Sequence, residues 1–331
     1  MLVAVTGATG HLGNNLIRQL ISQGYRVRAV VRDLSTIQAI DGIDMDIKYG
    51  DINDLDSLEN SFKGVEQVFH LAGLISIMPR MHKQLHKINV SGTINVIEAC
   101  KKFKVRRLVY VSSIHAIPLP PEGETIDETS PLNPKKIHDG YGQSKALASQ
   151  AVLVECKKGA LDTVVLCPTG IIGPFDFKGS SIGKVIQMFI KKKIPAYLPG
   201  GYDLVDVRDV ANSIQIAGEI GKIGQHYILS GQQVLIKDMF LEIQRVTDIA
   251  IPRFQIPANL AKVVGSLAGY SYSLIGKDSL ITSYSVATLL SNHLISSSLA
   301  CKDLNFNPRK WEISLRDQIE WIVEKSDPNR N

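Results

Sequence analysis

The sequence predicts an α/β fold, a doubly wound parallel sheet with a smaller interleaved C-terminal region, on three observations. Short runs rich in β-branched residues alternate with segments whose apolar residues recur at helical spacing. Those runs are apolar at successive positions, as strands buried on both faces must be. A glycine-rich turn follows the first run and opens directly into an amphipathic segment.

The strand-like runs are 2–6, 26–31, 45–49, 67–71, 107–112 and 162–167. Between them lie helical patterns such as Leu16, Leu20 and Ile21, or Val90, Ile94, Val96 and Ile97. This is the βαβ unit repeated. After Pro168 the regularity breaks into a loop at 170–175, a helical run at 181–192 and a strand-like return at 226–229. Residues 1–168 are therefore expected to form a nucleotide-binding domain to which 203–232 return. Residues 169–202 and 233–331 are expected to form the substrate-binding region, with a cleft between the two.

With 331 residues, 44% hydrophobic and 21% charged, the chain has ample material for a buried core. The four cysteines, Cys100, Cys156, Cys167 and Cys301, show no paired spacing and no histidine placed to complete a zinc site, so no metal is expected and a reduced, cytoplasmic setting is. The first strand begins at once, which predicts no secretory leader. The apolar stretch 260–275 is broken by Lys262 and several Gly and Ser residues, short of the roughly 18 apolar residues of a membrane span. A net charge of +5, with basic clusters that no aromatics interleave, predicts no nucleic-acid partner.

The turn reads Thr6-Gly7-Ala8-Thr9-Gly10-His11-Leu12-Gly13. Gly7 permits the tight turn, Gly10 lets a pyrophosphate approach the backbone, and Gly13 lets helix pack on strand, while helix N-terminal amides face the anion. Gly7, Thr9, Gly10, His11 and Leu12 are thus candidate cofactor contacts for a dinucleotide. At the tip of the second strand, where NAD-binding chains hold an acidic residue for the ribose 2′-hydroxyl, stands Arg32, followed by Asp33. Arginine suits a 2′-phosphate, so NADP(H) is the expected cofactor, with NAD(H) open through Asp33. Asp51 and Ile52 follow the third strand, where a carboxylate can accept from the adenine amino group or cap the helix at 54–62. Leu71, Ala72 and Gly73 close the fourth strand, where small residues leave room for a ribose; His70 is read as structural.

Ser113 stands at the end of the fifth strand, and Tyr141 and Lys145 lie four apart on one face of the helical run 141–154. A tyrosine has an ordinary pKa of about 10, which a neighbouring ammonium lowers. Tyr141 is expected to pass the proton, Lys145 to supply charge and bind the nicotinamide ribose, and Ser113 to hold the substrate oxygen, as hydride moves to or from carbon.

Together these residues resemble the extended short-chain dehydrogenase/reductase family, also called the NAD-dependent epimerase/dehydratase family, with its Rossmann fold. The resemblance covers essentially the whole chain. The turn resembles the family's Thr-Gly-x-x-Gly-x-x-Gly, Asn89-Val90-Ser91-Gly92-Thr93 its fourth-helix segment with a helix-distorting Asn, and Ser113, Tyr141 and Lys145 its catalytic triad. Residues 30–33, 168–174 and 206–211 are most similar to the dihydroflavonol-reductase-like branch, which implies ketone or aldehyde reduction with NADPH. The resemblance also implies that Pro168 and Thr169 lie over the nicotinamide carboxamide, and that two copies pair through helices 89–100 and 141–154. Ala116-Ile117-Pro118 replaces the Val-Tyr-Gly of nucleotide-sugar epimerases, and Ile114-His115 replaces the dehydratases' Asp-Glu, which argues against a sugar nucleotide. The alternatives are an epimerase holding NAD tightly and a non-catalytic NAD(P)-binding regulatory protein. Loops near 75–81, 115–120, 175–181 and 197–204 predict a hydrophobic pocket for a carbonyl or alcohol substrate.

Overall fold

The computed structural model describes residues 1–121, 123–260, 283–291 and 294–326. The longer strands are β1 Leu2–Thr6, β2 Arg26–Val31, β3 Asp46–Tyr49, β4 Gln67–His70, β5 Arg107–Val111, β6 Asp162–Pro168, β7 Gly170–Ile172, β8 Gly201–Asp206, β9 His226–Leu229 and β10 Gln232–Leu235. Seven of them form one parallel sheet in the order β9-β6-β5-β4-β1-β2-β3. The chain runs outward from β1 to β3, then returns to place β4 on the other side of β1. That reversal opens a crevice beyond the carboxyl ends of β1 and β4, where doubly wound sheets bind ligands.

The expected runs differ from the strands by a residue at some ends. Leu71 and Ser112 fall just outside β4 and β5, yet their amides still donate to Thr6 and Leu166, so the ladder fades there and does not stop. Pro168 closes β6, where its missing N–H is needed least.

Helices α1 His11–Ser22, α2 Leu55–Phe62, α3 Gly92–Lys102, α4 Gly140–Lys157, α5 Ser181–Ile190, α6 Val207–Ile220 and α7 Ile236–Thr247 pack around the strands. Because strand side chains alternate, β5 is buried at every position but serves two cores. Leu108 and Tyr110 join Leu58, Phe62, Ile97 and Val152 on one face. Val109 joins Leu16, Leu20, Phe69, Ile214 and Tyr227 on the other, with Leu304 and Phe306 returning from the C-terminal part. A third core lies under the smaller sheet of β10, β8 and β7, where Phe189, Phe240, Ile243 and Leu315 pack together. Tyr197 and Leu204, expected near the pocket, are buried in this third core.

The motif Asp206-Val207-Arg208-Asp209 makes an ion-pair network that fastens the C-terminal part to α6. Asp206 caps α6 through the Arg208 amide at 2.7 Å, Arg208 also reaches Asp317 at 2.6 Å, and Arg309 pairs with Asp209 at 2.6 Å. The stretch 260–275 lies, apart from Leu260, outside the described residues. No helix among the described residues is long and apolar enough to cross a membrane.

The contact between α1 and the turn after β1 sets a tight steric limit. A Cβ on Gly13 would lie 2.1 Å from the Gly7 carbonyl oxygen, whereas one on Gly10 would meet that oxygen at 3.1 Å. Gly13→Ala is therefore expected to destabilise the fold by about 2 kcal/mol or more, as overpacking does. Gly10→Ala should cost about 1 kcal/mol or less. Chemical denaturation of both variants checks the order; equal losses would contradict it.

Candidate active site

The turn after β1 lies against the loop after β4: a Cβ on Gly7, whose φ is +74°, would fall 2.7 Å from the Ala72 nitrogen. Gly10 caps α1 in an extended conformation, with no side chain bonded to the helix start and no acidic residue in its first turn. Among the described residues, the first amides of α1 therefore face the crevice without a partner for their positive end, the arrangement a pyrophosphate fits.

Polar side chains at the start of α1 reach a strip of the C-terminal half. The His11 ring donates from Nε2 to the carbonyls of Gly173 at 3.1 Å and Pro174 at 3.0 Å. Burial lowers the His11 pKa, which suits this neutral, single-donor use. Asn14 and Asn15 donate to the carbonyls of Phe175 at 3.0 Å and Pro174 at 3.2 Å, and the Arg18 guanidinium lies 4.4 Å above the Phe175 ring. The His11 side chain is thus a staple, leaving its backbone for a ligand, and Leu12 packs into the sheet core.

Arg32 is exposed at the tip of β2. Beside it, Asp33 accepts from the Ser35 amide at 2.9 Å and hydroxyl at 2.7 Å, bonds that hold its pKa below the usual carboxylate range. Asp51 does not cap α2: Asp54 does, through the Ser57 amide at 3.4 Å, while Asp51 accepts from the Asn53 backbone and side chain. Ile52 is buried against Gly92.

The helix leading into α3 widens into a π-turn over His86–Ser91. Widening of this kind frees backbone and turns side chains inward, and is frequent at functional sites. Here it presents the buried Asn89, whose amide accepts from the Leu74 nitrogen at 2.7 Å and donates to the Leu74 carbonyl at 2.9 Å and the Ser144 hydroxyl at 2.9 Å. The loop after β4 is thereby clamped to α4. His70 is buried between Thr6 at 2.7 Å and Thr93 at 3.0 Å; burial drives its pKa to about 3, so it is a neutral bridge under the loop.

Asp139 caps α4 through the Gly142 amide at 2.6 Å, which sets Tyr141 and Lys145 facing the end of β5. The Lys145 ammonium donates to the Val111 carbonyl at 2.6 Å and stands 4.6 Å from the Tyr110 ring centroid. Tyr141 lies edge-on to His115 at 5.9 Å, and the Ser113 side chain is close enough to act on its phenol. Ser113, Tyr141 and Lys145 are thus gathered at one strand end, each nearly buried. Thr169 continues beyond β6, its hydroxyl on the Leu229 carbonyl at 3.3 Å. Burial lowers the Lys145 pKa to about 7 and raises that of Tyr141 to about 12, the Ser113 side chain acting in the other direction. The expected lowering of the tyrosine by the lysine is not what this geometry gives. Lys145 is turned to Val111, and desolvation decides the phenol.

Sequence reasoning missed the clamping partner Ser144, the Ser112–Ser149 hydroxyl pair at 2.7 Å beneath Lys145, and Lys178, which bonds Thr9. A lone serine or lysine has no spacing signature that could have exposed them.

Residues 3–229 match the sequence family described as the NAD dependent epimerase/dehydratase family. Sterol demethylase protein B of Methylococcus capsulatus is 31% identical over 98% of this chain and 99% of its own length. A dihydroflavonol 4-reductase-like protein of Synechocystis sp. is 30% identical over 96% of this chain and 93% of its own. The crystal structure of gox2253 is 30% identical and superposes with a TM-score of 0.85 over 98% of both chains. A Bacillus cereus UDP-glucuronic acid 4-epimerase in complex with NAD shares the fold, at 18% identity and a TM-score of 0.79 over the full length of both.

A lysine near pKa 7 when folded and 10.5 when unfolded leaves the unfolded chain holding more protons between those values. Stability should therefore rise with pH from about 7 to about 10, where tyrosine titration begins to interfere. Lys145→Met should be more stable than the parent at pH 7 and flatten this rise, read by urea unfolding across the window. An unchanged slope would mean that the ammonium is not buried as described.

Proposed function

The chain belongs to the NAD dependent epimerase/dehydratase family, and on that premise we propose that it reduces a hydrophobic ketone or aldehyde with NADPH, using Ser113, Tyr141 and Lys145. The observation that carries the reading is the gathering of the buried Ser113, Tyr141 and Lys145 at the carboxyl end of β5, with Lys145 one turn beyond Tyr141 along α4 and bonded to the Val111 carbonyl. A phenol with a pKa of about 12 keeps its proton at neutral pH, the state required of a donor to a carbonyl oxygen. Ser113 orients that oxygen, and Tyr141 delivers the proton as the alkoxide forms. Lys145, freed from Val111, donates toward the cofactor ribose and offsets the charge left on the phenolate. When bound, the reduced nicotinamide supplies the hydride.

The residues present fit such a cofactor: the uncapped start of α1 for its pyrophosphate, and the open floor at Gly73, where an added Cβ would reach within 3.2 Å of Asn89 and 3.9 Å of Lys145. Gly7, Thr9, Gly10, Leu12, Asp51, Ile52, Leu71, Ala72, Pro168 and Thr169 complete the proposed cleft. Arg32 favours a 2′-phosphate, since its neighbour Asp33 is engaged by Ser35. The proposed division of labour gives 1–168 and 203–232 to the nucleotide and 169–202 and 233–331 to the substrate. Ile75 and Leu119, exposed on the loops after neighbouring strands, favour an apolar substrate. The sterol-related name of one relative makes polycyclic lipid ketones the first compounds to test.

Calorimetric titration should show NADPH binding more tightly than NADH to protein purified free of nucleotide, and a ketone and aldehyde screen should then show NADPH oxidation. Tyr141→Phe should abolish turnover while leaving NADPH affinity nearly unchanged. Retained turnover would remove Tyr141 from the mechanism, and NAD carried through purification that does not exchange would favour an epimerase instead.

A further inference from the structure

The segment after β7 brings a second cation to the nucleotide turn. Lys178 extends from the loop between Gly173 and Ser180, and its ammonium donates to the Thr9 hydroxyl at 2.9 Å. Thr9 is the turn residue just before Gly10, and it is nearly buried while Lys178 stays open to solvent. Arg32 and Asp33 are close enough to act on Lys178 electrostatically.

The position is fixed from several directions. His11, Asn14, Asn15 and Arg18 pin residues 173–175 to the start of α1. The buried Asp176 folds the next residues back by accepting from the Ser180 amide at 2.7 Å, and Gln318 holds the Gly173 amide at 3.2 Å. Lys178 is therefore carried to Thr9 by a braced loop.

Two cations are thus gathered beside the turn, while the one carboxylate beside them is turned to Ser35. Among the described residues neither Arg32 nor Lys178 has a carboxylate within ion-pairing distance. Partial burial and repulsion by Arg32 both lower the Lys178 pKa. A site of this kind gains most from a ligand that brings two negative charges and several acceptor oxygens.

We propose that Lys178 is a specificity residue for the cofactor, closing with Arg32 and Thr9 on a phosphomonoester at the 2′ position of the adenosine ribose. The inference rests on the NADP reading above and adds to it a residue from the substrate-side half of the chain. Capture of the 2′-phosphate then also fixes the 173–180 loop, so cofactor choice and shaping of the substrate side share one contact.

The test compares two fragments that differ only in the phosphate concerned, adenosine 2′,5′-bisphosphate and adenosine 5′-phosphate, by calorimetric titration of the full chain. The parent should prefer the bisphosphate. Lys178→Met should weaken the bisphosphate about tenfold, the worth of one charge-assisted hydrogen bond, and leave the monophosphate within about twofold, as expected of a distant screened charge. Lys178→Arg should retain most of the preference. If Lys178→Met keeps the parent's full preference, the inference is overturned while the NADP reading stands. Equal weakening of both fragments overturns it as well, assigning the lysine to the 5′ side. A parent that prefers neither fragment overturns the NADP reading itself, and the inference with it.

Discussion

An ammonium group buried at the end of a parallel strand, with a single backbone carbonyl as its close partner, is the constraint around which the site is arranged. Burying a lysine costs several kcal/mol unless the charge is met or the proton lost. Here the Val111 carbonyl and the Tyr110 ring meet part of that cost, and the pKa falls to about 7. Both partners belong to β5, so α4 must hold its register against that strand. The serines beneath make this register specific: the Ser149 hydroxyl donates to the Lys145 carbonyl at 2.8 Å and meets that of Ser112, from β5's end, at 2.7 Å. Asn89 does the same work from the other side by joining the β4 loop to Ser144. A slip of α4 by one residue would strand all of these polar groups at once.

The second organising feature is the absence of Cβ atoms where turn, strand and helix cross. Gly7 touches the β4 loop and Gly13 touches Gly7. The turn therefore cannot rise away from the crevice floor, and its amides point into the cleft. α1 begins without a side-chain cap, and its polar residues His11, Asn14 and Asn15 bond the 173–175 strip. One helix end thus offers amides to a ligand and side chains to the C-terminal half.

The sheet and the residues of the candidate site were legible because each carries a local signal: β-branched runs for strands buried on both faces, a glycine triplet between strand and helix, and a tyrosine and lysine one turn apart. Strand ends were off by single residues where a backbone bond outlasts regular geometry, as at Leu71 and Ser112. What was not legible depends on contacts across the fold. Asp51 reads as a possible cap for the helix at 54–62, and only the structure gives that place to Asp54. Tyr197 and Leu204 lie on a segment that reads as a loop lining, yet the third core takes them. Lys178 meets Thr9 across 169 positions of sequence, which no periodicity spans.

The pKa pattern sets the site's resting charge. Burial leaves His70 neutral with a pKa near 3, Tyr141 protonated up to about 12 and Lys145 balanced near 7. The nearby thiol Cys167 is held protonated up to about 12 by its own burial. Of Tyr141 and Lys145, the lysine is thus the one whose proton is exchanged near neutral pH. A negative charge entering the cleft raises the lysine pKa and favours the ammonium. The phenol, by contrast, loses its proton only when a stronger base, such as a developing alkoxide, meets it. The lysine therefore charges readily while the tyrosine, costly to ionise, holds its proton until such a base arrives.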